Sequence, residues 1–326
     1  MIGTQADIKE KVKMNRYSRN WQCNFFCEKC LACRHLPNIG GYDFTHQATW
    51  RHMMTSHQNY LATTPEWLRS PWCEQHSWSI YRQRDDLLHL VWLGFAKDVS
   101  GQLLYDFAIA RPGDMTNNLQ ALYREMRAWF RDRGVPCNVR PWGKTTISWS
   151  SSNDYPTLEG NIKASASKLI FLWASWKAVQ IVETGENTSD YSRMRATMAW
   201  NLSRFVAILD AEPLFLSDDA AFAACHHGHA FLICYQQLAF DAIVAKVAAY
   251  KLRPKLHYFA HTVLELIVTF ENPRRQDLFA AEDFIGRIKK IGSKCHRSTT
   301  PLRVCQHILL ALGQRWAQLR RRRGPA

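Results

Sequence analysis

Residues 85–110 read DDLLHLVWLGFAKDVSGQLLYDFAIA. Leu88, Val91, Trp92, Phe95 and Val99 recur at steps of three and four, the spacing that lines side chains along one face of an α-helix. Asn117–Arg133 repeats the pattern with Leu119, Leu122, Met126 and Phe130 on one face and charges opposite. Ile162–Glu183 and Tyr191–Leu209 follow as helices, and Asp210-Ala211-Glu212-Pro213 ends the second. Asp218 or Asp219 can cap a further helix running toward Tyr250, and Pro254 interrupts it. Lys255–Phe270, Ala280–Ile291 and Pro301–Arg323 complete the helical set. Pro136–Thr157 is turn-rich, with Thr145–Ser150 as the one candidate strand. Upstream, 61–78 carries two prolines and reads as a connector. The expected class is α+β, predominantly helical.

Composition agrees with a folded chain. Of 326 residues, 47% are apolar and 21% charged, enough to bury a sizeable core. The most apolar run, Leu169–Val182, is too short for a membrane span and carries Lys177. The start, MIGTQADIKEKVK, is polar and lacks the apolar stretch of a secretory signal, so an intracellular protein is expected.

The net charge is +14 and its distribution is uneven. No acid follows Asp283, whereas Arg287, Lys289, Lys290, Lys294, Arg297, Arg303, Arg315 and Arg320, Arg321, Arg322 and Arg323 do. A block of one sign attracts polyanions, and nucleic acid is the commonest. The expected partner is DNA, with RNA as the alternative and no membrane. A solvated basic tail is the bland reading of the same residues.

Ten cysteines are present, and four of them, Cys23, Cys27, Cys30 and Cys33, fall close together ahead of His35. A two-residue spacer lets a tight turn present two thiolates to one ion, so a structural zinc is expected on these four. His46, His52 and His57 are further donors within reach in sequence. His257 and His261 lie four apart on one helical face. Such a pair can bind metal, but without the intervening Glu of a metalloprotease helix the reading preferred is satisfied or surface histidines, and the Cys225-His226-His227-Gly228-His229 group is read the same way, with a His/Cys metal site as its alternative. Acids that can hold a divalent ion are Asp85, Asp86, Asp98, Asp106, Glu159, Glu183, Glu282 and Asp283, with no local pattern to separate them. No phosphate loop, nucleophile elbow or dinucleotide fingerprint occurs.

Three phrases together resemble a known family. Asp86-Leu-Leu-His89-Leu-Val-Trp-Leu93-Gly94-Phe-Ala-Lys97 is similar to the Asp-x-Met-His-x-x-x-Leu-Gly-x-x-Lys element of CACTA-type (En/Spm-like) DNA transposases. Pro254-Lys-Leu-His257-Tyr-Phe-Ala-His261 is similar to their Pro-x-x-His-x-x-x-His element, and Ala281-Glu282-Asp-Phe-Ile-Gly286-Arg-Ile-Lys289 to their Phe-Glu-Arg-Phe-Asn-Gly-x-x-Lys. The resemblance implies an RNase H-like core built on a mixed sheet. It also implies Mg or Mn held by Asp86 and Glu282 for strand cleavage, with His89 beside them, and a nuclear location. Leu88 replaces the family's Met, and Ala281 replaces the aromatic residue before the Glu. Little sequence precedes Asp86, so the chain resembles a truncated or degenerate member. The expected organisation is a loose tail at 1–20, a Cys/His-rich zinc segment at 21–70, a transposase-like region at 71–310 and a basic tail at 311–326. The expected function is transposase-derived DNA binding, with strand cleavage or transfer as a possible activity. The alternative is a non-catalytic, zinc-stabilised helical protein that binds RNA, chromatin or protein through its basic C-terminus.

Overall fold

The computed structural model describes residues 5–6, 8–34, 40–75, 78–294 and 299–323. It divides the chain into two compact units, Met1–Asp277 and Leu278–Ala326. The boundary thus falls well before the start of the basic tail anticipated at 311.

In the first unit, α3 (Ala96–Ile109), α4 (Met115–Arg131), α5 (Ala164–Glu183), α6 (Asp190–Ala211), α7 (Asp218–Val244) and α8 (Pro254–Thr269) form the body. Their N-termini follow from local chemistry. Asp114 accepts from the amides of Thr116 and Asn117, Ser189 from Ser192, and Ser217 from Ala220. Each satisfies a donor that the first helical turn leaves without a partner. At α8 the start is Pro254 itself, whose missing N–H costs nothing there. α6 packs along α7, α5 on α6, and α7 on α8. Phe95, Phe205, Phe231 and Phe259 meet at their centre, with Phe259 ring centroids 5.0 and 5.1 Å from Phe95 and Phe205. α4 buries Leu119, Leu122, Met126 and Phe130, the face read from periodicity.

Two local expectations fail. The helix anticipated through 85–110 is split: Leu88–Phe95 is π-helical, and Gly94 (φ −112°, ψ −125°) breaks it before α3. The cause is tertiary. Lys255 at the start of α8 donates from Nζ to the His89 carbonyl at 2.7 Å, and a Cβ on Gly94 would stand 2.8 Å from the Lys255 side chain. Thr145–Ser150 is not a strand. Lys144–Ile147 is a short 3-10 turn, ending at Ser148 in the left-handed region. Thr146 Oγ1 accepts from the Gly143 amide at 3.0 Å and closes it.

Sheet is minimal. β1 (Gln5–Ala6) pairs in parallel with β2 (Arg84–Asp85), and these are the only paired strands among the described residues apart from isolated bridges. The mixed sheet expected of an RNase H-like core is therefore not among the described residues. Nor is 8–15 a loose tail: it forms α1 (Ile8–Asn15), which buries Ile8, Lys11 and Asn15. Tyr17 then joins Tyr60 of α2 (His57–Thr63), Trp78 and Ile80 in a satellite core. Among the described residues no helix is long and apolar enough to cross a membrane.

The second unit consists of α9 (Phe279–Gly292) and α10 (Thr300–Arg323), which pack on each other where Gly292 approaches Thr300 and Val304.

Candidate metal centre

Cys27, Cys30, His257 and His261 converge in the first unit. All four are buried, and one donor atom from each lies within 4.8 Å of all the others. Among the described residues this is the only group of three or more His, Cys, Asp or Glu side chains so placed. Cys30 Sγ stands 3.2 Å from His257 Nε2 and 3.5 Å from His261 Nε2, and Cys27 Sγ 3.3 Å from His261 Nε2. The two Nε2 atoms are 3.0 Å apart. A tetrahedral zinc with ordinary bond lengths sets sulfur and nitrogen ligands about 3.5 Å apart, close to the three sulfur–nitrogen separations here. Four protein ligands leave no open position, which is the character of a structural rather than a catalytic zinc.

The surroundings orient each donor. His257 Nδ1 is 2.9 Å from the Gly41 carbonyl, which fixes that nitrogen as the protonated one and leaves Nε2 for the ion. The Lys29 amide donates to Cys27 Sγ at 3.4 Å. Arg19 donates to the carbonyls of Cys27 and Cys30 at 3.2 and 2.9 Å, tying down both ends of the turn. Trp50 closes the other side, 4.6 Å from the His257 ring and 5.0 Å from His261. Gly41 admits no side chain: a Cβ there would lie 2.4 Å from Phe26. Burial pushes the Cys27 thiol well above its ordinary value, an effect that a bound cation reverses. Burial, then the charges of His257 and Lys29, hold His261 well below its own.

Beside the donors lies a buried ionic network. Lys11 of α1 reaches Asp85 at 2.5 Å and Glu28 at 2.6 Å, with all three side chains nearly inaccessible. Lys29 reaches Glu265 of α8 at 2.6 Å, and Arg84 reaches the same carboxylate at 2.8 Å. Burial alone would lower Lys11, but Asp85 and Glu28 hold it above its ordinary value. α1, the cysteine turn, β2 and α8 are thus joined by charge next to the four donors that two of them bring together.

The anticipated zinc set is corrected accordingly. Cys27 and Cys30 belong to the cluster, whereas Cys23 and Cys33 do not. Cys23 Sγ faces the Ser18 carbonyl at 3.8 Å, and the backbone of Cys33 bridges to Phe25 and Gly40. His257 and His261, read as structural histidines, supply the other half. The His46 ring lies tilted against His229 at 4.2 Å and His57 meets Trp78 edge-on at 5.3 Å, neither being among the clustered donors, while His35 lies outside the described residues. No local pattern links the two pairs, since 227 residues separate Cys30 from His257. The available signal was that each half is a metal-competent pair lacking its complement.

Asp86 is buried, and its carboxylate accepts from the amides of Leu88 and His89, both at 3.2 Å, and lies 2.5 Å from His89 Nδ1. It caps the π-helical segment and orients the His89 ring. Asp85 belongs to the ionic network, Asp98 pairs with Arg253 and Asp106 with Arg195. Glu282 lies on α9, with its side chain outside those described, as do the side chains of Arg287 and Arg320, Arg321, Arg322 and Arg323. Lys289, Lys290 and Lys294 are exposed, and Arg297 lies outside the described residues.

Compared with known proteins, the chain matches no family model, no curated sequence and no solved structure.

Proposed function

We propose that the chain is a DNA-binding protein of transposase-like descent, in which zinc at Cys27, Cys30, His257 and His261 holds the fold and α9 and α10 carry the polyanion contacts. The observation that supports this most is the charge of the second unit. Every charged residue after Asp283 is Lys or Arg, and the side chains of Lys289, Lys290, Lys294 and Arg303 are exposed to solvent. Cations gathered on one small unit neutralise phosphates and release counterions, so affinity falls steeply with salt.

Binding without cleavage is the favoured form. A strand-cleaving role for Asp86 needs its carboxylate free to hold Mg or Mn, whereas here it caps a helix and orients His89. The experiment is anisotropy of a labelled duplex across a salt series. Replacing Arg320–Arg323 together by Ala should lower affinity and flatten the log–log salt slope by roughly 3 to 4. An unchanged slope refutes the assignment of the contacts. Metal-dependent nicking by the wild type that Asp86→Asn abolishes would restore the catalytic reading.

A further inference from the structure

We propose that the outer face of α5 and α6 is a stacking platform for the unpaired bases of single-stranded DNA; this rests on the nucleic-acid reading above but uses residues remote in sequence from the basic C-terminus. α5 and α6 line a groove of about 490 Å³ with Val179, Val182, Arg193, Thr197 and Trp200. Trp200 keeps 43% of its surface in water, and Trp176, one turn before Val179, keeps 37%. Each presents a large flat apolar ring to solvent, the shape on which a base can stack.

What surrounds these rings selects the occupant. Arg133 lies 4.1 Å over the Trp129 ring and 5.6 Å from that of Trp176, and the two rings are themselves 5.5 Å apart. Trp200 is held edge-on by His227 at 5.1 Å, and the His227 ring is fixed by Asn201 at 2.9 Å. Burial, then the charges of His226 and nearby Arg204, hold His227 below its ordinary value. Arg133, Arg193 and Arg204 are all exposed. The one acid lining the groove, Glu183, accepts from Gln180 at 2.7 Å. An apolar protein partner would have to bury these guanidiniums, at a desolvation cost. A DNA strand supplies flat rings for the tryptophans and phosphates for the arginines, and every base has a face to stack. Duplex DNA hides those faces, which commits the platform to single strands.

The test uses the full chain with a labelled oligothymidine and a duplex of equal length. Trp176→Ala and Trp200→Ala should each lower single-strand affinity by about tenfold. Duplex affinity should stay within about twofold, because phosphates alone carry that contact. Trp200→Phe should retain most of the single-strand binding, since a ring remains. Arg193→Glu and Arg204→Glu, both at exposed positions, should lower it without the folding risk of removing a ring. Wild-type-like single-strand binding by all four of the Ala and Glu variants overturns the proposal. So does an equal loss on duplex, tighter Trp-dependent binding of the matching RNA, or a change in sedimentation of Trp200→Ala, which would make the face a self-contact. Failure of the two readings is separable. Duplex binding with no single-strand binding sinks only this one. Trp-dependent single-strand binding untouched by loss of Arg320–Arg323 sinks only the C-terminal assignment.

Discussion

His257 and His261 do their work through Nε2, because the Gly41 carbonyl claims Nδ1 of the first and α8 holds the second a single turn away. Single replacements therefore have sharply different expected outcomes. Cys27→Ser and His261→Ala should each reduce bound zinc from one per chain toward none by elemental analysis. They should lower stability by more than about 3 kcal/mol in denaturant titration, since structural zinc affinity is largely folding energy. Cys23→Ser and Cys33→Ser should leave the zinc content intact, as neither sulfur joins the cluster. Lys11→Met tests the neighbouring charges. It leaves Glu28 and Asp85 buried with one fewer cation and should cost roughly 3–5 kcal/mol, whereas breaking the exposed Lys13–Glu10 pair should cost at most about 1 kcal/mol.

At the scale of elements, close approaches rather than propensities decide which changes hurt. Gly228 of α7 faces both α8 and α6, so an added Cβ would sit 2.5 Å from Val263 of the first and 3.1 Å from Phe205 of the second. Gly101 of α3 is more severe, because the added atom meets the Thr157 backbone at 2.4 Å. Gly101→Ala is expected to cost at least about 1–3 kcal/mol and Gly228→Ala somewhat less, since a side chain yields where a backbone does not. Gly286 lies on α9 with no described atom within 4 Å of an added Cβ, so Gly286→Ala should instead raise stability by about 0.5–1 kcal/mol through helix propensity. Thermal melts of the three variants would give opposite signs for the buried and open positions.

For the whole molecule, the ion and the protons compete. Chelation should lower the melting temperature of the full chain, and refilling with zinc should restore it. Acid should act in the same direction. His261 has its folded value well below the ordinary 6.5, so above about pH 6.5 the metal-free fold suffers no penalty from this group. As pH falls through that value, the unfolded chain takes a proton that the buried ring refuses. Stability then drops until the folded value is reached. Melting curves in chelator should therefore fall between about pH 7 and pH 5, and zinc should dissociate over a similar range as protons claim its ligands. A metal-free protein equally stable at both ends of that range would contradict this account.

Helix periodicity by itself determined most of the body: α4 through α8 lie near where apolar spacing and the prolines place them, because those signals act within a turn or two, but α7 is capped by Ser217 rather than by Asp218 or Asp219 and ends at Val244, short of Tyr250. The Cys27–Cys30 pair was legible for the same reason, as was the acid-free basic end. Three features were decided only in three dimensions. Gly94 breaks a helix that its own sequence favours because Lys255 arrives from α8 to take a carbonyl. α1, polar along most of its length, is ordered because Lys11 finds two buried carboxylates. His257 and His261 become half of a candidate metal site because the cysteine turn folds against them. A tetrahedron is satisfied by direction and distance, and neither is encoded in the spacing of residues that the chain brings together from opposite ends.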